Sequence, residues 1–234
     1  MLRFWSLRIA LAAVLLLVVG PLLAFLGLVP GLTGMYLFAS GALVGLVAMV
    51  AGIITAVRGG VKPGLAALAL GLLALGVVLT PAFAGGGKPP INDISTDLQD
   101  VPAFTHAQTL PENAGRDLRY PEDFKPVVQH FYPDLKSLKL AEPPEAVFER
   151  AVAQAKGRPG WTVTRVDPQE STLEGVVESR LFRFRDDFVV RVRPEPGGGA
   201  RVDMRSKSRV GRGDLGANAA RIHDFLQALA GAGR

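Results

Sequence analysis

The sequence predicts an α+β domain, built on an antiparallel sheet with two packing helices, carried on three transmembrane helices, and three observations lead there. All 21 acidic residues lie from Asp93 onward. No charged residue falls between Ile9 and Val57, a run of 49. From Asp134 the apolar residues change to short periodic runs, read as strand, helix, four strands and helix. The expected divisions are residues 1–88 for a three-span membrane region, 89–133 for a Pro-rich extended connector and 134–234 for the globular domain.

A helix needs about 20 apolar residues to cross the hydrocarbon core, so the uncharged run holds two spans. Pro30, Gly31 and Gly34 break it into Ile9–Val29 and Met35–Val57, and Arg58 to Pro63 closes the second. A third span covers Leu65–Ala84. Arg3 and Arg8 ahead of an apolar stretch also suit a signal peptide, but the stretch exceeds signal length and lacks a small-x-small cleavage site. Arg3 and Arg8 precede the first span and Arg58 and Lys62 lie between the second and third, while the 30–34 loop has none. That bias makes the N-terminus cytoplasmic and sends everything after Lys88 outward, into the periplasm if the membrane is a bacterial inner membrane. Gly41, Gly45, Ala48 and Gly52 give the second span a face of small residues that could pack on a sister span or, as a homo-oligomer contact, on another subunit.

The connector is dense in proline, with Pro89, Pro90, Pro102, Pro111, Pro121, Pro126 and Pro133. Phe104, Tyr120, Phe124, Phe131 and Tyr132 are interleaved with them, and disordered linkers are poor in aromatics. Part of the stretch should therefore lie against the domain.

In the domain, Leu135, Leu138 and Leu140 suggest a short strand. Pro143-Pro144-Glu145 opens a helix with Val147, Phe148, Ala151, Val152 and Ala155 on one face. Strands follow at residues 161–166, 172–180, 185–193 and 200–210, and a helix at 215–230. Strands joined by short turns pair antiparallel. Two amphipathic helices would cover one sheet face and leave the other solvated or open to a ligand.

The last strand alternates sharply, with Arg201, Asp203, Arg205, Lys207 and Arg209 on one side. If the turn at 194–199 pairs Arg193 with Arg201, then Arg191 faces Asp203, and Asp187 comes within reach of Arg205 and Lys207. Such a charged sheet face could grip a carboxylate or phosphate, or serve as cross-strand ion pairs that keep an exposed sheet soluble.

Gly211-Arg212-Gly213-Asp214-Leu215-Gly216 fits G-x-G-x-x-G between a strand and a helix. A dinucleotide fold needs a further parallel strand with an acidic residue about 20 positions on, and only the helix follows here. Asp214 suits a helix N-cap better. Arg209, Arg212, Asn218 and Arg221 gather at this strand-to-helix corner, where a helix N-terminus attracts anions.

The chemistry is bounded by what is missing. There is no cysteine, and His106, His130 and His223 form no metal-ligating pair, so no metal or cofactor is expected. The net charge of +5 belongs to the first 92 residues, where Arg3, Arg8, Arg58, Lys62 and Lys88 meet no acidic residue; removing those five leaves 21 basic against 21 acidic, which argues against nucleic acid. No catalytic residue is assigned. The favoured reading is a non-catalytic membrane-anchored envelope protein that binds an anionic ligand or protein partner, and its rival is a hydrolase or transferase using Asp186, Asp187 or Asp214.

Pro90-Ile91-Asn92-Asp93-Ile94-Ser95-Thr96-Asp97, Asp186-Asp187-Phe188-Val189-Val190-Arg191-Val192 and the run from Val202 through Met204, Gly211, Gly213 and Asn218 to Ile222 resemble the family catalogued as domain of unknown function 1499. The resemblance spans about residues 89 to 229. It implies no established reaction. For members with helices ahead of the domain, it implies membrane attachment.

Overall fold

The computed structural model describes residues 2–84 and 87–231, so residues 85 and 86, in the stretch leading to the connector, lie outside the described residues. Two compact units result: Met1–Gly86 with Ser179–Arg183, and Gly87–Glu178 with Phe184–Arg234.

The first unit contains α1 (Leu2–Phe25), α2 (Gly31–Val57) and α3 (Val61–Ala84). All three are long and apolar enough to cross a membrane, over Phe4–Phe25, Gly31–Val57 and Val61–Thr80. The 24 residues of α1 extend roughly 36 Å at about 1.5 Å per residue, more than the hydrocarbon thickness. α1 begins before Ile9 and ends at Phe25 rather than Val29. α2 and α3 begin before Met35 and Leu65, because Gly31, Gly34 and Pro63, read as breaks, are accommodated in the first turns of α2 and α3. Among apolar surroundings, helices associate through close packing. The small residues of α2 serve that purpose inside this unit. A Cβ on Gly45 would lie 2.9 Å from the Gly71 carbonyl of α3, one on Gly52 2.7 Å from that of Gly64, and one on Gly41 3.0 Å from the Ala13 carbonyl of α1. Gly41, Gly45, Ala48 and Gly52 are all buried between the sister helices, while Leu11, Leu15, Leu43, Val47 and Val50 face outward.

The second unit holds β1 (Asp93–Ser95), α4 (Phe124–Phe131), β2 (Leu138–Leu140), α5 (Pro144–Gly157), β3 (Trp161–Asp167), β4 (Thr172–Glu178), β5 (Arg185–Pro194), β6 (Ala200–Ser208) and α6 (Ala217–Gly231). The sheet is antiparallel in the order β1-β6-β5-β4-β3, and β2 pairs the other end of β6. Pro144 in the first turn of α5, with Glu145 there and Lys156 in the last turn, suits that helix's fixed φ and dipole. Gly197, Gly198 and Gly199 all take positive φ, a conformation costly for other residues, and so turn β5 into β6 in a few residues. That turn sets the register Arg193↔Arg201, Arg191↔Asp203 and Asp187↔Lys207, as the alternation predicts.

One sheet face carries Leu173, Phe188, Val190, Val202 and Met204 and packs on Val147, Phe148 and Ala151 of α5 and Ile222, Phe225 and Leu229 of α6. Each of these side chains larger than alanine stabilises the fold by about 1.5–3 kcal/mol on burial. Trp161 closes the layer, its ring 4.5 Å from Phe188 and 5.5 Å from Phe225.

Two expectations need correction. Residues 89–133 are not simply extended chain: they supply β1, two short 3-10 turns (Ala107–Thr109 and Pro111–Asn113) and α4. These elements are too short for a periodic signal to reveal. The charged sheet face is also covered over most of its extent rather than solvated, with Arg193 and Arg201 at its open end. Residues 96–122 lie over it, packing Phe104, Ala107 and Leu118 on Val189, and Asp187, Asp203 and Arg205 beneath them are at most 2% exposed.

Candidate functional site

Successive residues of β5 point to opposite faces, which separates the two carboxylates Asp186 and Asp187. On the covered face, Asp187 accepts hydrogen bonds from Arg209 Nε and Nη2 (3.1 and 2.7 Å), from Arg116 (2.9 Å) and from Asn113 (3.3 Å). Beside it, Asp93 of β1 receives Arg205 through Nε and Nη2 (2.9 and 2.8 Å) and the Lys207 ammonium at 2.8 Å. Further along, Arg191 reaches both Asp203 and Asp97 at 3.4 Å and donates to the Asp100 carbonyl at 2.6 Å. Arg201 joins Asp97, and Arg193 joins Asp100. The Arg193 hydrogen bond and the nearby Arg191 charge hold the Asp100 carboxyl below its ordinary range.

Glu174 of β4 completes this layer without a cation. Its carboxylate accepts from the backbone N–H groups of Thr105, His106 and Ala107, each at 2.8 Å, and from the Thr105 hydroxyl at 2.7 Å. It therefore pins the segment covering the face.

The helix-facing corner is a separate network. Arg221 of α6 bridges Asp186 and the Ser206 hydroxyl, and Asn218 bonds Ser206, Ser208 and the Asn92 carbonyl. Asp214 accepts the N–H groups of Gly216 and Asn218 at 2.8 Å each, so it still caps the helix start, although α6 begins at Ala217 rather than at Leu215, which is exposed and takes a positive φ. The glycines of G-x-G-x-x-G have structural reasons: Gly211 and Gly216 sit at positive φ, and a Cβ on Gly213 would press within 3.1 Å of Pro90. Of the expected corner cluster, Asn218 and Arg221 meet, Arg209 lies on the opposite face with Asp187, and Arg212 is exposed.

A cleft of this unit opens beside the covered face. It holds about 910 Å³ and is lined by Phe104, Arg116, Tyr120, Lys125, Arg205 and Lys207, among others. Arg205 lines it, with the Phe104 ring 4.5 Å and the Tyr120 ring 5.2 Å from the guanidinium carbon, both within cation–π range. The Tyr120 hydroxyl is buried without a hydrogen-bond partner. Burial, reinforced by the Asp93 charge, pushes its pKa far above the usual tyrosine value, so it remains a donor. Among the described residues, no three His, Asp or Glu side chains converge as metal ligands.

Sequence reasoning missed Asp93, Asp97, Arg116, Tyr120 and Glu174 as members of this assembly. A charge imbalance could have found Asp93 and Asp97: Arg191, Arg193, Arg201, Arg205, Lys207 and Arg209 face only Asp187 and Asp203 on their own strands, so acids had to come from elsewhere; Arg116, Tyr120 and Glu174 left no such signal. A protein-family model described as Protein of unknown function (DUF1499) matches residues 93–229. No curated protein matches the chain.

Proposed function

The chain belongs to the DUF1499 family of proteins of unknown function, and from that premise we propose a membrane-tethered, non-catalytic binding protein of the bacterial envelope. Its helices span the inner membrane with the N-terminus cytoplasmic, and its sheet domain lies in the periplasm, where the cleft beside Arg205 takes an envelope ligand. A protein partner at this cleft is the other form of the same reading.

The observation that carries the non-catalytic reading is the fate of the carboxylates. A general acid or base must be able to exchange a proton with a substrate. Asp93, Asp97, Asp187 and Asp203 are each bonded to arginine or lysine, Asp186 to Arg221, Glu174 to backbone N–H groups and Asp214 to the start of α6. The rival trio Asp186, Asp187 and Asp214 serves three different partners.

Stability distinguishes the readings. Breaking a buried ion pair costs about 3–5 kcal/mol, whereas catalytic carboxylates are commonly replaced at little cost or with a gain in stability. Asp187→Asn in the full chain should lower the melting temperature sharply. An Asp187→Asn protein as stable as the parent, but lacking a hydrolytic activity that the parent shows, would establish the enzyme instead.

A further inference from the structure

Resting on the reading of the cleft as a binding site, we infer that its ligand is a small organic anion, whose phosphate or carboxylate oxygens are received by Lys207 and Tyr120 while its apolar part lies along Val101, Ala103 and Pro121.

The cleft's volume of about 910 Å³ falls in the range of small-molecule sites, about 300–1,000 Å³. Its deep polar groups divide into those already used and those with capacity left. Arg205 donates through Nε, Nη1 and Nη2 to Asp93 and to the Pro102 and Leu118 carbonyls, so it lines the cleft but offers a ligand little. Arg116 spends Nη1 on Asp187 and Asn113 and Nη2 on the Ser208 carbonyl. Lys207 differs. Its ammonium has three N–H groups and gives one to Asp93, while its side chain keeps only 11% exposure. The Tyr120 hydroxyl, buried on the same cleft, gives its proton to no protein atom.

Two deep donors with spare protons, one of them cationic, call for an acceptor with negative charge. The carboxylates at the rim do not oppose this. Asp117 is engaged by Arg119 through three side-chain contacts of 2.7–3.1 Å, Glu122 by Lys125 at 2.8 Å, and Asp100 by Arg193. A carboxylate already neutralised by its neighbour repels an incoming anion weakly. No free guanidinium fork remains, so the anionic group need not be planar, and phosphate ester and carboxylate share the same two contacts.

The test uses the full chain in nanodiscs and calorimetric titration with phenyl phosphate, benzoate and neutral benzyl alcohol, with empty nanodiscs as reference. Saturable binding of the two anions and much weaker binding of the alcohol is expected, and the stronger of the anions identifies the group. Tyr120→Phe deletes an oxygen that bonds nothing in the protein, so its melting temperature should be unchanged while anion affinity falls about tenfold. Lys207→Gln should lose more. Equal binding of benzyl alcohol, or unchanged affinity in both variants, overturns the anion assignment and leaves the binding-protein reading standing. If no probe binds, the assignment is likewise overturned, and the stability of Asp187→Asn decides the broader reading separately.

Discussion

Arg205 shows how a charge becomes part of a core. A buried guanidinium without partners would cost several kcal/mol in lost hydration. Here the fork of Arg205 is matched by both oxygens of Asp93, two carbonyls take further N–H groups, and two aromatic rings lie within cation–π range. Every attachment outside β6 comes from residues 93–120, so this one side chain ties the early segment to the sheet. Tyr120 is bound into the same assembly, and burial raises its pKa in the fold. The sign follows: a folded pKa above the unfolded value of about 10 stabilises the protein fully below that pH, and the contribution disappears as pH rises toward the folded value. Melting temperatures measured across alkaline pH should fall above about pH 10, and the fall should be shallower in Tyr120→Phe. Parallel curves for the two proteins would mean that Tyr120 ionises as freely folded as unfolded.

At the scale of elements, β6 carries two programmes at once. Its even positions build the helix-facing core and its odd positions build the ion network, with Arg205 and Asp203 as buried as Met204. What keeps the odd side dry is the segment over residues 96–122, which has almost no regular structure and depends on anchors such as Glu174. Glu174→Gln keeps the size of the side chain but replaces one acceptor oxygen with a donor amide. Hydrogen exchange at Thr105, His106 and Ala107 should accelerate well before the sheet amides change; if those three amides remain as protected as in the parent, Glu174 is not what holds the segment. This division explains what the sequence disclosed. The alternation of β5 and β6 and their short glycine turn made strands and register readable, down to Arg191 opposite Asp203. The same alternation was silent about burial, since arginines at alternate positions look alike under water or under a covering loop. The cover depends on contacts spanning about a hundred residues, such as Arg205 with Asp93, and no local pattern encodes them. The corner failed for a related reason: Arg209 and Arg221 are near in sequence, but the pleat of β5 gives them Asp187 and Asp186 on opposite faces.

For the whole molecule, the division of charge in the sequence determines how the chain should lie in a membrane. The helices α1, α2 and α3 are each long and apolar enough to cross a membrane, and Arg58 and Lys62 lie at the junction of α2 and α3, whereas the segment between α1 and α2 has no charge. Basic residues in short loops resist translocation, so the proposed orientation puts the α2–α3 junction and the residues before α1 on the cytoplasmic side. With an odd number of crossings, the same proposal puts the sheet domain on the other side. Its 21 acidic and 21 basic residues impose no orientation of their own. A reporter active only after export should therefore function when fused after Lys88 and remain silent when fused after Gly59, and a cytoplasmic reporter should give the reverse. The loop charges are the cause to be tested. Arg58→Gln together with Lys62→Gln removes both basic residues at the α2–α3 junction and leaves Arg3 and Arg8 to orient the bundle alone, so the Lys88 fusion should lose part of its exported activity. Full activity in that double variant would assign the orientation to the N-terminal arginines, and an exported reporter after Gly59 in the parent chain would reverse the topology altogether.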